Sequence, residues 1–162
     1  MDSGTITIGV VSIVACILPF IFINRSKKKA EQKRLRALTD LAAQHNGAIS
    51  RHEFRGEIAI GLDDANNYVF FISKVKGREA AQFIDLAGIK SCRVENSSRS
   101  INSKDGAYKV IDKLSLVFTP VNKDKSNVSL EFYDADVSMQ LVGELQLIER
   151  WEKMINDRLK MK

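Results

Sequence analysis

Cysteine, proline and histidine are all scarce in this 162-residue chain, and tryptophan occurs once. The two cysteines, Cys16 and Cys92, are too few and too poorly placed for a disulfide framework or a zinc site. Two prolines and nine glycines are too few for a long disordered linker. Paired CxxC, HExxH and phosphate-cradling glycine loops are all missing, and with them the usual signatures of redox, metalloprotease and nucleotide chemistry. Aromatics are absent between Phe22 and Phe54, so the most basic part of the chain has no stacking platform for single-stranded nucleic acid.

Net charge is missing too, except in one place. The chain carries +5 in total. Arg25, Lys27, Lys28, Lys29, Lys33, Arg34 and Arg36 stand against Glu31 alone, which makes that run +6. Asp2 offsets one charge, so residues 37–162 are neutral overall. A nucleic-acid-binding domain would carry its basic excess on the folded part; nucleic acid is therefore disfavoured as a partner.

Directly before the basic run lies an uncharged stretch, Thr5 to Ile23. As a helix it would reach about 28 Å, close to the thickness of a bilayer's hydrocarbon core. Twelve of the residues from Ile6 to Ile23 are Ile, Val, Leu or Phe, enough to favour insertion by several kcal/mol. Pro19 falls near the end of the span, where a kink is tolerated. A cleaved signal peptide fits less well, because Met-Asp-Ser-Gly carries no positive charge. Ile13-Val14-Ala15-Cys16 resembles a lipoprotein lipobox, yet seven more uncharged, apolar-type residues follow Cys16 where a polar tether belongs. Lysines and arginines crowded behind a span mark its cytoplasmic end. The expectation is a single-pass protein of the inner (cell) membrane, with its N-terminus outside and its C-terminal domain cytoplasmic. Residues 1–24 would form the anchor, bound to the bilayer through 5–23. The basic residues of 25–46 would touch the membrane surface, where each adds about 1 kcal/mol of attraction to anionic lipid.

Residues 27–45 read as a helix, with Leu35, Leu38 and Ala42 on one stripe and Leu41 beside them. Asn46-Gly47 is a left-handed stop. Three lysines in the first turn would oppose the dipole of a free helix end, so a helix continuous with the span is favoured. The leucine stripe is expected to pack on the following domain, with self-association as the alternative.

From Ala48 the hydrophobic period changes to two. Strands are expected at 48–54, 57–62, 68–74, 81–85, 89–96, 108–118 and 127–133. Asp63-Asp64-Ala65-Asn66-Asn67 supplies a hairpin turn. Residues 76–79 read as a turn and 97–107 as a polar loop, with a tight turn at Asp105-Gly106. Leu141, Leu145, Ile148, Trp151, Ile155 and Leu159 then form a broad apolar stripe on a C-terminal helix capped by Ser138 or Asp136. Gly143 would sit inside that helix, at a cost of about 1 kcal/mol.

Seven antiparallel strands closed by one amphipathic helix resemble the pleckstrin-homology superfold. The run IGLDDANNYVFFI followed by FIDLAGIKSCRVEN is similar to the bacterial PH-like pattern. The resemblance covers about residues 48–160. It implies an α+β chain in which a transmembrane helix and a basic juxtamembrane helix precede a seven-stranded antiparallel, partly open barrel over 47–162, capped by the C-terminal helix. The whole chain also resembles small single-pass membrane proteins of the Bacteroidetes.

Candidates for catalysis are thin. His45 and His52 read as surface histidines, Cys92 as a small buried hydrophobe, and Asp63-Asp64 as turn formers. No catalytic, cofactor-binding or metal-binding residue is assigned, and the chain is expected not to be an enzyme. A phosphoinositide site of the eukaryotic PH type needs a cationic first loop. Here Arg51 and Arg55 alternate with Glu53 and Glu57. Lys74, Lys76 and Arg78 form a second cationic set, expected in the loop after the third strand as a contact for lipid or a partner. The expected function is a non-catalytic binding or scaffolding module that holds a protein partner, or a second copy, at the membrane. Lipid-headgroup binding is the alternative, and an enzyme of unknown type comes third.

Overall fold

The computed structural model describes residues 28–75, 78–103, 106–138 and 140–161. The expected anchor over 5–23, and with it Arg25 and Lys27, lies outside the described residues. Among the described residues no helix is long and apolar enough to cross a membrane. The chain divides into two compact units, Met1–Ala37 and Leu38–Lys162. In the first, the described residues 28–37 are helical, and Lys28, Lys29, Lys33 and Arg36 are exposed. That helix, α1, runs over 28–44, so its last turns belong to the second unit.

The second unit is α+β. Four strands form an antiparallel meander: β1 (Arg51–Arg55), β2 (Ile58–Asp63), β3 (Tyr68–Val75) and β4 (Arg78–Asp85). A 3-10 turn, Leu86–Gly88, leads into a second meander of β5 (Ile89–Ser103), β6 (Gly106–Pro120) and β7 (Val128–Asp134). Helix α2, Glu144–Lys160, follows. The sheets hold four and three strands and do not join into a closed barrel. All seven expected strands are present.

The period-two pattern places Ile58, Ile60, Leu62, Val69 and Phe71 of the first sheet against Leu114, Leu116, Phe118, Leu130 and Phe132 of the second. Helix α2 adds Leu147, Ile148, Trp151 and Ile155 to that core. The first sheet is also covered on its other face, where Ala59, Phe70 and Ile72 are buried without belonging to the main core. Leu38, Leu41 and Ala42 of α1 are buried as well. A Cβ on Gly61 would lie 2.7 Å from Leu38 Cδ2, so the missing side chain at Gly61 seats the helix. The His45 ring stacks on Phe83 with centroids 3.9 Å apart. The end of α1 therefore crosses from β2 to β4. Every residue of β2 is buried, as expected of a strand covered on both faces. Asn46 ends α1 with φ of 54°, the left-handed stop that the sequence implies.

Several expectations are corrected. The span 97–107 is not a polar loop: β5 runs to Ser103 and β6 starts at Gly106, a long ribbon built on alternating Ser, Arg and Asn backbone pairing. Asp105 lies outside the described residues. Arg78 belongs to β4 and pairs with Val75, so it is not in a loop. The first strand begins at Arg51, because Ala48 N–H is drawn to Asp63 instead. Helix α2 starts at Glu144, not near Ser138 or Asp136. Gly143 is its N-cap, with φ of 92°, a left-handed backbone that only glycine adopts easily. The expected mid-helix penalty at Gly143 therefore does not arise.

Candidate functional site

The carboxylates that looked most like a chemical pair are structural. Asp63 is fully buried at the β2–β3 turn. Its Oδ1 accepts from Ala65 and Asn66 N–H at 2.8 and 3.0 Å, and its Oδ2 from Ala48 N–H and Asn66 Nδ2 at 2.8 Å each. Burial pushes the carboxyl's pKa up, but these donors outweigh it and hold the group below the usual carboxylate range. Asp64 pairs with Arg51 and Arg158. Arg158 also donates to the Asp64 carbonyl and to Asn67 Oδ1, which ties the end of α2 to the same turn.

Cys92 is buried in the core, as its reading as a small hydrophobe implies. Burial, with the nearby Glu152 carboxylate, pushes its thiol up to about 12, which makes thiolate chemistry at neutral pH negligible. Its backbone is held by α2: Asn156 Oδ1 accepts from Cys92 N–H at 3.1 Å, and Asn156 Nδ2 donates to the Cys92 carbonyl at 2.7 Å. Glu152 Oε1 accepts from Val94 N–H at 3.0 Å. Two helix side chains thus stand in for a neighbouring strand along the β5 edge. His52 is exposed and lies 5.1 Å from Phe54, ring to ring. His45 is half-buried on Phe83, so it is a packing group and not a free surface histidine. No cluster of three or more metal-ligating side chains occurs among the described residues.

Two concave surfaces stand out among the described residues. A groove of about 610 Å³ lies between β1 and α2, beside Trp151 and Met154. Its arginines are already used: Arg51 and Arg158 by Asp64, and Arg150 by Glu53. Glu53 also accepts from Trp151 Nε1 at 2.6 Å.

The larger cleft, about 810 Å³, opens where the β1–β2 turn, the end of β3, the end of β7 and the segment leading into α2 meet. Ile58, Phe132 and Val137 give it apolar wall, and Val142 is 63% exposed at its edge. Arg55 and Lys74 lie on it and form no ion pair among the described residues. Five carboxylates line it as well: Glu57, Glu131, Asp134, Asp136 and Glu144. Lys113 takes up Asp134 at 2.8 Å and approaches Glu131 at 4.0 Å from outside the cleft.

Of the second cationic set only Lys74 is placed at this site. Lys76 and the Arg78 side chain lie outside the described residues. Sequence reasoning missed the cleft because its walls come from four separate segments. Glu144 in particular reads from the sequence as an ordinary polar residue inside the expected helix. No protein-family model, curated protein or solved structure matches the chain.

Proposed function

We propose that this chain is a membrane-held, non-catalytic binding module of the PH-like type, which presents the 810 Å³ cleft to a protein partner or a second copy at the cytoplasmic membrane face. The anchor over residues 5–23 and the basic run behind it support the membrane placement. The order of elements supports the PH-like reading: a four-stranded and a three-stranded antiparallel sheet, packed on one core and followed by a helix that covers it.

The observation that carries the binding role is the cleft. It is open, of the size that recognition sites have, and it combines apolar wall with convergent charged groups. The chemistry-bearing groups elsewhere are spent on the fold, as Asp63 and Cys92 illustrate. Headgroup binding is the second reading, favoured by Arg55 and Lys74, which form no ion pair among the described residues, and opposed by the five carboxylates around them.

The test is a photo-crosslinking amino acid at Gln140, on the cleft, in the full chain in its membrane. A reproducible crosslinked protein band supports the module. A crosslink confined to lipid supports headgroup binding, and no product from Gln140 or a second cleft position removes the binding role from this cleft.

A further inference from the structure

Three polar or charged side chains are buried among the described residues: Asp63, Ser73 and Glu144. Asp63 is saturated by four donor contacts. The other two both line the large cleft, and both are left with unused hydrogen-bonding capacity. Ser73 is 6% exposed. It follows Val69 and Phe71 on the core-facing side of β3, and no described group bonds its hydroxyl. Glu144 is 8% exposed. One of its carboxylate oxygens, Oε2, accepts from Val142 N–H, and among the described residues no donor bonds Oε1. Neither oxygen is a sealed, unpartnered atom, since no such side-chain atom occurs among the described residues. Both residues line the cleft, and Glu144 Oε1 lies beside the β1–β2 turn, 3.5 Å from where a Cβ on Gly56 would stand.

A carboxylate oxygen can only accept, and a serine hydroxyl accepts as readily as it donates. A group with several N–H donors and no acceptor can satisfy both. Desolvated carboxylate favours a positive charge, and five carboxylates line the cleft against Arg55 and Lys74, with Lys113 reaching Asp134 and Glu131 from outside it. Phe132, Val137 and the exposed Val142 offer apolar surface beside these oxygens, which suits an aliphatic stem ending in a cation.

We infer that the cleft recognises a lysine or arginine side chain carried on a basic segment of a partner protein, with Glu144 Oε1 and Ser73 Oγ as its acceptors. The inference rests on the binding-module reading and names the partner's chemistry. It also distinguishes the Glu144 end of the cleft from a phosphate-reading site, since a carboxylate oxygen repels a phosphate and holds a cation.

The test uses the full chain in nanodiscs of neutral phosphatidylcholine and two fluorescent 13-residue peptides. One has the sequence of residues 24–36; in the other its seven basic residues are glutamine. Fluorescence anisotropy should show the basic peptide binding at least tenfold more tightly than the glutamine peptide. Glu144→Gln keeps an acceptor for Val142 and removes the charge; it should weaken binding about tenfold. Ser73→Ala and the exposed Asp136→Asn should each weaken it severalfold without unfolding the domain. Lys123→Gln, on the β6–β7 turn, should change nothing. Equal binding of the two peptides, unchanged affinity in Glu144→Gln and Ser73→Ala, or no binding at millimolar peptide overturns the inference. If the inference fails while Gln140 still crosslinks a protein, the module reading stands alone. If both fail, both fall.

Discussion

A single carboxylate organises one end of the domain. Asp63 is ionised and buried, and it joins the β2–β3 turn to the chain leaving α1 through the Ala48 N–H. Asp63→Ala should cost about 3 kcal/mol, since several buried donors lose their acceptor at once; the midpoint of urea unfolding measures this. The pH dependence has a definite sign. The folded-state pKa is depressed, so the stabilisation is complete above the unfolded value of about 4 and is lost as pH falls through the lower folded value. An Asp63→Asn chain should lose less stability than the wild type over that acid range. Gly61 is the other residue on which much depends. An added Cβ would meet Leu38 at 2.7 Å and Ile49 at 3.0 Å, so Gly61→Ala should cost about 1–3 kcal/mol by overpacking.

At the level of elements, the last turns of α1, from Leu38 on, are part of the domain. Its leucine stripe covers the outer face of the first sheet through Leu38, Leu41 and Ala42. A fragment starting at Gly47 should expose Phe70 and Ile72, bind a hydrophobic dye and aggregate; one starting at Leu38 or earlier should stay monodisperse in gel filtration. Helix α2 closes the domain by two means. Trp151 and Ile155 fill the core, and Asn156 pairs the backbone of Cys92 on the β5 edge. Asn156→Ala leaves that N–H and carbonyl unpaired and should destabilise the β5 edge by about 1–3 kcal/mol. In a Cys16→Ala background, native-state labelling of the Cys92 thiol should accelerate by roughly tenfold for each 1.4 kcal/mol lost in the opening equilibrium.

For the whole chain, the net charge is confined to one segment of the sequence. The excess positive charge lies in residues 25–36, and the remaining sequence is neutral. On the proposed topology, replacing the seven basic residues with glutamine should abolish a single orientation, read out by protease protection of the C-terminal domain in sealed vesicles. Vesicle binding by a fragment starting at Arg25 should fall as salt shortens the Debye length below about 10 Å. Binding by a fragment starting at Leu38 should be weak throughout, because it lacks that run.

The strands were legible because alternation is a local property. Ile58, Ile60 and Leu62 announce a buried face without reference to anything distant. The basic run and the uncharged stretch before it were legible for the same reason. The ribbon over 97–107 was not, because Ser, Asn and Lys say nothing of strand pairing until a partner strand satisfies their backbone. Gly143 was misplaced since its φ follows from how the chain turns from β7 into α2. Composition and periodicity alone determined the seven strands, the closing helix and the separation of charge. Only the tertiary structure decided that α1 covers the first sheet, that Asp63 is a hub, and that Ser73 and Glu144 share a cleft. Each of those depends on residues far apart in the chain, and long-range proximity leaves no mark on a local pattern.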